Sequence, residues 1–320
     1  MPINVAVAGS EELISENLLE LLQEKSFPIG QLYLLTAQDA EEQDAVRFNN
    51  QNIYVQTLDG FDWSQVELVF FTGNADEYAA AFFAAEQANC KIIDLRAPAF
   101  KDNAHGLSLV TSHENMESPI HICPDDITVL VGQIIQPFFE ETAITHLNIT
   151  ALAPVSIHGK KGTEILAKET AQLMNGRPLE NTLFAAQQAF NILPVTQDNL
   201  LADELQQLFP KEKLSMAVTL LQAPVFYGAT VVIDVMLEDP LPREMITKML
   251  SSLNNVELSD EVLTPVTHGS NQNQVFLQLT AAETAEIQEF RLVMVTDLLR
   301  TGRVTNAVLL AEQLVIPVLQ

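Results

Sequence analysis

The chain has 320 residues, of which 42 are acidic and 16 are basic, so its formal net charge is −26. This charge excludes nucleic acid as a default partner, because phosphate binding needs clustered lysine and arginine, and it disfavours an anionic membrane surface. Hydrophobic residues make up 48% of the chain, which excludes intrinsic disorder. A chain of this length has enough residues for two domains.

The cysteine content and the N-terminus give expectations about the compartment. Cys90 and Cys123 are the two cysteines, which do not indicate a disulfide framework and fit a reducing compartment. Residues 1–9 have no basic region before their apolar stretch, so we interpret them as a first strand and not as a signal peptide. No apolar run reaches ~18 residues, the length that a membrane-spanning helix needs. We therefore expect a cytoplasmic protein that does not enter a membrane.

The first third of the sequence alternates between short apolar runs and helical patterns. The run from Ile3 to Ala8 is rich in β-branched residues and stops at Gly9, which is typical of a buried parallel strand. Similar patterns predict four more strands and two helices: strands at Leu32–Leu35, Ile53–Gln56, Leu68–Thr72 and Lys91–Leu95, and helices at Ser15–Glu24 and Ala75–Ala88. This rhythm predicts an α/β, Rossmann-like doubly wound domain over residues 1–125.

The rest of the sequence has longer strands with fewer helices between them. Strands are predicted at Ala143–Pro154, Met216–Ala223, Thr230–Leu237, Gln274–Thr280 and Glu289–Thr296, and helices at Thr163–Met174 and Arg243–Leu253. Because few of these strands alternate with helices, we expect a mixed or antiparallel sheet in an α+β domain over residues 126–303. The last helix, within residues 304–316, is expected to pack back on the first domain.

Several short segments occur together in an order that is typical of one enzyme family. They are Gly9, Val155-Ser156 with Gly159 and Gly162, Ala-Phe-Asn-Ile-Leu-Pro at 189–194, Pro-Val-Phe-Tyr-Gly at 224–228, Asp-Leu-Leu-Arg-Thr-Gly at 297–302 and Thr-Asn-Ala-Val at 305–308. In their order and spacing, the whole chain resembles bacterial aspartate-semialdehyde dehydrogenase. The resemblance implies a Rossmann domain, a catalytic and dimerisation domain, and an NADPH-dependent reductive dephosphorylation of aspartyl phosphate.

The resemblance also implies a nucleotide loop of the form Gly-x-x-Gly-x-x-Gly, of which only Gly9 is present. Glu12 and Ser15 stand at the other glycine positions, and Glu11 adds a second carboxylate. The family's glycines let the backbone approach a pyrophosphate at the helix N-terminus. A carboxylate ~4 Å from a phosphate would repel it by up to about 4 kcal/mol. As residues of the first helical turn, both glutamates also suit the helix dipole.

The segment after the second strand also argues against nucleotide binding. Where the family holds the 2′-phosphate of NADP with hydroxyl and basic groups, this chain has Asp39, Glu41 and Glu42 and no cation. Taken alone, this segment fits a solvated acidic loop. Together with Glu12 it leads us to expect that neither NADP nor NAD binds and that the chain has no cofactor.

The position of the family's nucleophilic cysteine holds Asp126 in this chain, in an alignment that Pro124 and Thr128 fix. A carboxylate cannot replace the thiolate, because the chemistry needs a thiohemiacetal that gives hydride and a thioester that accepts it. Asp125 or Asp126 suits the N-cap of a helix. Cys123 lies three residues earlier, and we interpret it as a small, partly buried residue.

Two further catalytic positions have changed. The acid/base histidine position of the family holds Ala229, and the substrate-binding arginine position holds Gln222. The pocket glutamine of the family aligns with Ala153. Losing a positioned general base costs roughly 10²–10⁴-fold in rate. We therefore expect that no catalytic residue of the family is intact.

Other polar residues offer a remnant anion pocket at most. Lys101, Asn115 and Arg300 fall on family positions that could leave a weak anion site, with a solvated lysine and a structural arginine as the alternative. The six histidines have no metal-ligand spacing and no Cys-x-x-Cys occurs, so we expect no metal site. His158 lies beside two lysines in what we interpret as an exposed loop.

Three hypotheses follow. The first is a non-enzymatic homologue that resembles the silent paralogues of aspartate-semialdehyde dehydrogenase and keeps a role in protein association. The second is an active oxidoreductase with altered chemistry that uses Cys123. The third is a sensor of a small anionic metabolite near Lys101 and Arg300. We favour the first, as a homodimer built on the sheet of the second domain, with hetero-association with an active paralogue as the alternative.

Overall fold

The computed structural model of the chain describes residues 2–10, 12–38, 44–96, 106–111, 118–179, 183–195 and 200–315. The chain divides into two units, of which the first is Met1–Asp125 with Arg303–Gln320 and the second is Asp126–Gly302. Among the described residues, no helix has the length and apolar character that crossing a membrane requires.

The first unit starts with alternating strands and helices. Its elements up to residue 125 are β1 Ile3–Ala8, α1 Leu13–Glu24, β2 Ile29–Thr36, β3 Ala45–Phe48, β4 Gln51–Thr57, β5 Leu68–Phe71, α2 Ala79–Gln87, β6 Lys91–Asp94 and β7 Ile120–Ile122. Every residue of β5 is fully buried, as are the last four of β1. Burial on both faces is the reason that these strands have continuous apolar sequences.

In the described part of this unit, the strands form one seven-stranded sheet in the order β3-β4-β2-β1-β5-β6-β7. The β3–β4 pair is antiparallel and the other adjacent pairs are parallel. The predicted doubly wound fold is confirmed. The connections run in opposite directions from β1, so the carboxyl ends of β1 and β5 lie at the switch point where such sheets bind ligands.

The second unit is an α+β unit with longer strands. Its elements are α3 Asp126–Ile135, β8 Ile144–Ala153, α4 Gly159–Met174, β9 Leu193–Pro194, α5 Leu200–Leu208, β10 Ser215–Gln222, β11 Ala229–Pro242, α6 Arg243–Ser251, β12 Val256–Leu258, α7 Pro265–His268, β13 Val275–Ala281, β14 Glu286–Thr296 and α8 Leu298–Thr301. A short 3₁₀ turn, Val155–His158, joins β8 to α4.

Among the described residues of this unit, the sheet has the strand order β12-β13-β14-β11-β8-β10-β9. The pairs β8–β10 and β12–β13 are parallel and the others are antiparallel, which confirms the predicted mixed sheet. Side chains alternate along the long strands, so that Val231 and Ile233 are fully buried in the core while Val232 keeps part of its surface accessible.

Helices α2 and α4 each begin four residues away from the start that the sequence pattern predicts. Helix α2 begins at Ala79 and not at Ala75, because the side chain of Asn74 accepts hydrogen bonds from the N–H groups of Asp76 and Glu77 and folds the segment into a turn. Helix α4 begins at Gly159, four residues earlier than predicted. The two lysines after His158 therefore lie in its first turn and not in a loop.

The last helix, α9 Arg303–Val315, belongs to the first unit and contacts α1. The side chain of Asn306 is fully buried there. Its Oδ1 accepts a hydrogen bond from Val110 N–H at 2.8 Å, and its Nδ2 donates to the carbonyl oxygen of Ser108 at 2.9 Å. Lys91 Nζ donates to the carbonyl oxygen of Leu314 at 2.6 Å near the other end of the helix. The Thr-Asn-Ala-Val segment is thus an anchor for backbone groups of this unit.

We predict that Asn306→Ala lowers the free energy of unfolding of the first unit by about 2–4 kcal/mol, because one buried N–H and one buried carbonyl lose their partners. Trp63 is the only tryptophan of the chain and lies buried in this unit, so its fluorescence in urea reports the change. Asn52→Ala, at an exposed position of β4, is the matched control and should stay within about 0.5 kcal/mol. Equal urea midpoints for the two variants would contradict the anchoring role.

Candidate functional site

The first candidate region is the turn between β1 and α1. Gly9 has a φ of +108°, and a Cβ atom on it would lie 2.1 Å from the backbone nitrogen of Gly73, so only glycine fits. Ser15 is fully buried, and its hydroxyl donates to the Gly9 carbonyl at 2.6 Å and contacts the Thr72 hydroxyl at 2.7 Å. Ser15 therefore packs beneath the turn, where a small residue lets the helix approach the strands.

Glu12 occupies the N-cap position of α1, is exposed, and makes no side-chain capping hydrogen bond. Its backbone N–H donates to the Gly9 carbonyl at 3.1 Å, which fixes the turn. The strand, tight turn and helix N-terminus at Gly9 are the arrangement at which doubly wound folds hold a dinucleotide. Glu11 lies outside the described residues.

The second candidate region surrounds the start of α3 in the second unit. Asp126 is the first residue of this helix, is 7% exposed, and lies against Gly302. A Cβ atom on Gly302 would come within 2.4 Å of Asp126 Oδ1, so the carboxylate fills the space that glycine leaves. A negative charge at this position is stabilised by the helix dipole.

A second carboxyl group, which sequence reasoning missed, lies close to Asp126. Asp297 is 4% exposed and accepts hydrogen bonds from the N–H groups of Asn271, at 2.8 Å, and Leu299, at 3.1 Å. Burial raises the pKa of Asp297 above its ordinary value, and the Asp126 carboxylate raises it further. The two hydrogen bonds and the charge of Arg300 lower the pKa of Asp297. This region of the site is therefore acidic.

Arg300 has polar partners within its own unit. Its Nε donates to Asn273 Oδ1 at 2.5 Å, and its charge lies near Asp297. These contacts give Arg300 a structural role in holding the segment before β13. Lys101 and Asn115 lie outside the described residues, as do Asp39, Glu41 and Glu42. The anion pocket of Lys101, Asn115 and Arg300 thus stays a prediction.

Gln222, which the sequence predicts to stand at the position of the family's substrate arginine, is buried at the end of β10. Its Nε2 donates to the carbonyl oxygen of Pro154 at 3.3 Å, which turns its Oε1 towards His158. The Nε2 of His158 lies 2.8 Å from that oxygen and must donate to it. His158 was interpreted as a loop residue. It reaches Gln222 because β8 and β10 are parallel neighbours, with Ala153 opposite Gln222.

Ala229, which the sequence predicts to stand at the position of the family's acid/base histidine, is the fully buried first residue of β11. Gly228 before it has a φ of +82° and lies so close to Pro265 that a Cβ atom would be 2.3 Å from the Pro265 carbonyl oxygen. The position has a methyl group and no atom that transfers a proton.

Cys123 is 3% exposed and packs in a hydrophobic core of the first unit, with its Sγ 3.5 Å from Asn306 Nδ2.

Across the described residues, no three or more histidine, cysteine, aspartate or glutamate side chains come together as a metal site would require.

Comparisons with known proteins place these two regions in one family. Residues 4–119 match the model of the semialdehyde dehydrogenase NAD binding domain, and residues 135–301 match that of the semialdehyde dehydrogenase dimerisation domain. The chain belongs to the semialdehyde dehydrogenase family. The resemblance inferred from the sequence is thereby confirmed.

Individual relatives align over nearly the whole chain. Aspartate-semialdehyde dehydrogenase 2 of Vibrio cholerae is 30% identical, with 98% of this chain and 97% of the relative covered. A USG-1 protein homolog of Pseudomonas aeruginosa is also 30% identical, with 98% of both chains covered. The crystal structure of aspartate semialdehyde dehydrogenase II from Vibrio cholerae has a TM-score of 0.89 and 29% identity, with 99% of both chains covered.

The expectation that this family member has no cofactor is wrong. The first unit matches an NAD binding domain. The fold is shared with aspartate semialdehyde dehydrogenase with NADP from Candida albicans, at a TM-score of 0.74, 15% identity and 98% coverage of both chains. The sequence argument placed the side chains of Glu12 and Ser15 in the path of a phosphate. In the structure Ser15 lies beneath the turn and Glu12 is exposed.

We predict that Asp297→Asn removes a pH dependence of stability. Because burial raises the pKa of Asp297 above 3.8, the native state keeps a proton that the unfolded state loses, and the free energy of unfolding falls as the pH rises through this interval. The stability of Asp297→Asn relative to the natural chain should therefore increase from pH ~4 to ~7. Urea unfolding followed by far-UV circular dichroism measures it.

Asp62→Asn is the control, because the pKa of Asp62 is shifted in the direction opposite to that of Asp297. Hydrogen bonds from Ser64 lower the pKa of the exposed Asp62, so this carboxylate stabilises the native state above its ordinary pKa and loses that effect in acid. The relative stability of Asp62→Asn should fall slightly as the pH rises. If the relative stabilities of the two variants changed with pH in the same direction, the opposite pKa shifts of Asp297 and Asp62 would be contradicted.

Proposed function

We propose that this chain is a dimeric, dinucleotide-binding member of the semialdehyde dehydrogenase family that does not catalyse the phosphate-dependent oxidation of aspartate semialdehyde. The observation that carries the proposal is that Asp126, at the predicted position of the family's nucleophile, is a buried carboxylate packed on Gly302. A carboxylate in this place cannot form the thiohemiacetal from which hydride leaves.

The proton-transfer and substrate-binding positions support the same conclusion. Ala229 cannot take up or release a proton, which alone costs roughly 10²–10⁴-fold in rate. Gln222 is a neutral amide whose oxygen and nitrogen are both used, by His158 and Pro154. Gln222 therefore does not supply the cation that would bind a substrate carboxylate.

An active oxidoreductase is the second candidate, because relatives named as aspartate-semialdehyde dehydrogenases match this chain over nearly its whole length. Such an enzyme would need another nucleophile, and Cys123 is the cysteine nearest in sequence to Asp126. Its thiol is 3% exposed within a hydrophobic core, whereas reactive cysteines lie in accessible, electropositive surroundings. The assay below distinguishes the two candidates.

We predict that the purified full-length chain, supplied with aspartate semialdehyde, phosphate and NAD or NADP, gives no nucleotide reduction above background. Asp126→Cys alone should not restore turnover, because Ala229 and Gln222 still lack the base and the cation. Absorbance of the reduced nicotinamide measures the rate. An active family enzyme in the same assay is the positive control.

Turnover by the natural chain would contradict the loss of catalysis. If Cys123→Ser then abolished the turnover, the second candidate would replace the proposal. Cys90→Ser is the matched control, because Cys90 is also a buried thiol of the first unit.

The proposed dimer uses the face of the second unit's sheet that points away from its core. Val232 on β11 lies between Thr150 on β8 and Val293 on β14, and all three keep part of their surface accessible. The Asp234–Arg291 ion pair, with an Nε–Oδ1 distance of 2.6 Å, lies further along the same face. A net charge of −26 on each subunit opposes association, so the contact must be largely apolar. A two-fold contact through this face would bury more than roughly 2,000 Å².

We predict that the chain sediments as a dimer at micromolar concentration and that Val232→Lys shifts it to monomer, because burying an unpaired ammonium group in an apolar contact is costly. Val262→Lys is the matched control at a position that is 84% exposed, and it should leave the dimer intact. A monomeric natural chain in moderate salt would contradict the homodimer. Equal effects of the two variants would exclude this face.

A further inference from the structure

The sheet face of the proposed dimer carries an ion pair between apolar side chains. Asp234 on β11 lies directly opposite Arg291 on β14. Side chains two residues apart on a strand point to the same face, so Val232 and Met236 flank Asp234 along β11. Val232 keeps part of its surface accessible, and Met236 is 38% exposed. The ion pair is therefore a polar group set in an apolar strip of this face.

The ion pair is fully formed within one subunit. The Nε of Arg291 donates to Oδ1 of Asp234 at 2.6 Å, and the Nη2 donates to Oδ2 at 3.1 Å. The Nδ2 of Asn148 on β8 also donates to this Oδ2, at 3.4 Å. The two-point contact fixes the direction of both charged groups, and the pair as a whole is neutral. A neutral, oriented pair enters an apolar contact at a lower cost than a single charge does.

Both members of the pair have bonding capacity beyond these contacts. A guanidinium has five N–H groups, of which the bonds to Asp234 use two, and a carboxylate accepts several hydrogen bonds. The side chains of Arg291 and Asp234 are 55% and 34% exposed, so donors and acceptors of the pair are accessible on this face. A second pair placed over the first in the opposite order would match each cation with an anion.

Two-fold symmetry supplies such a second pair. When two copies pack face to face, the axis lies in the plane of the contact, and each patch meets the same patch of the other copy. An axis that runs along the strands, midway between β11 and β14, places Arg291 of each protomer over Asp234 of the partner subunit. An axis that runs across the strands through the pair places like charges over each other, which is repulsive.

We infer that Asp234 and Arg291 select a second copy of this chain as the partner, through a two-fold axis that runs along β11 and β14. Arg291 of each protomer then donates to Asp234 of the partner subunit. The inference rests on the dimer of the proposed function. A different chain that lacks the complementary charges leaves the pair unmatched in the contact, so these two residues favour the homodimer over hetero-association.

The test exchanges the two charges of the pair. The double variant Asp234→Arg with Arg291→Asp keeps an ion pair within each subunit and should form its own dimer, because its charges are also complementary about the axis. In a mixed dimer with the natural chain, aspartate faces aspartate and arginine faces arginine. Mixed dimers should therefore fall from about half of all dimers, the value without preference at equal amounts, to about one-tenth or less.

Native mass spectrometry measures the fraction of mixed dimers in the full-length protein. The natural chain is isotopically labelled, because the exchange of the two residues leaves the mass unchanged. Lys25→Glu with Glu312→Lys is the matched control, since it exchanges the charges of an ion pair of the first unit with an Nζ–Oε2 distance of 3.8 Å. It should give about half mixed dimers, which also establishes that the subunits exchange.

The single variants provide a second readout. Asp234→Arg alone and Arg291→Asp alone each place two like charges on every protomer, so each variant should sediment as a monomer. An equal mixture of the two should sediment as a dimer, because one protomer then carries two cations and the other two anions. Circular dichroism establishes that the double variant is folded; if it is not, the two single variants decide alone.

The outcomes separate the inference from the proposed function. A monomeric natural chain overturns the dimer of the proposed function, and the inference with it. A dimeric natural chain that mixes with the double variant as freely as with the control overturns the inference alone, and so do single variants that remain dimeric.

Discussion

The buried amide of Asn306 satisfies the N–H of Val110 and the carbonyl of Ser108, and through them it ties the last helix of the chain to the rest of the first unit. The apolar face of α9, which includes Val304, Ala307 and Val308, is fully buried in that unit's core. The first unit is therefore incomplete without residues from both ends of the sequence, and the second unit is an insertion between them. The sheet that carries the Gly9 turn depends on this closure.

Much of the architecture could be predicted because burial leaves a clear pattern. Strands β1 and β5 are apolar on both faces, and the long strands of the second unit alternate, so their existence and type follow from the sequence. The short strands β3, β7, β9 and β12 have too few residues to show either pattern. The start of α2 depends on a side-chain turn at Asn74, which competes with a good helical composition.

For the candidate site, the sequence predicts positions, which stay predictions, but it does not predict contacts. The resemblance identified Asp126, Gln222 and Ala229, because each lies beside a segment of fixed spacing. It did not reveal Asp297 or His158, which reach the site through long-range packing and parallel strand pairing. The conclusion about the cofactor failed for a related reason, since the sequence gives the identity of Ser15 but not the direction of its side chain. Asp126, Gln222 and Ala229 are all buried, and Asp126 and Gln222 have packing or hydrogen-bond partners, so the region is a well-packed part of the fold.

The hydrogen bond between His158 and Gln222 links the tautomer of the histidine to the residue at position 222. The amide oxygen of Gln222 accepts, so Nε2 of His158 carries the proton. An arginine at position 222 would present only donors, and the exposed His158 would then accept through Nε2 and carry its proton on Nδ1. A substitution at position 222 would therefore also change which nitrogen of its histidine neighbour is protonated.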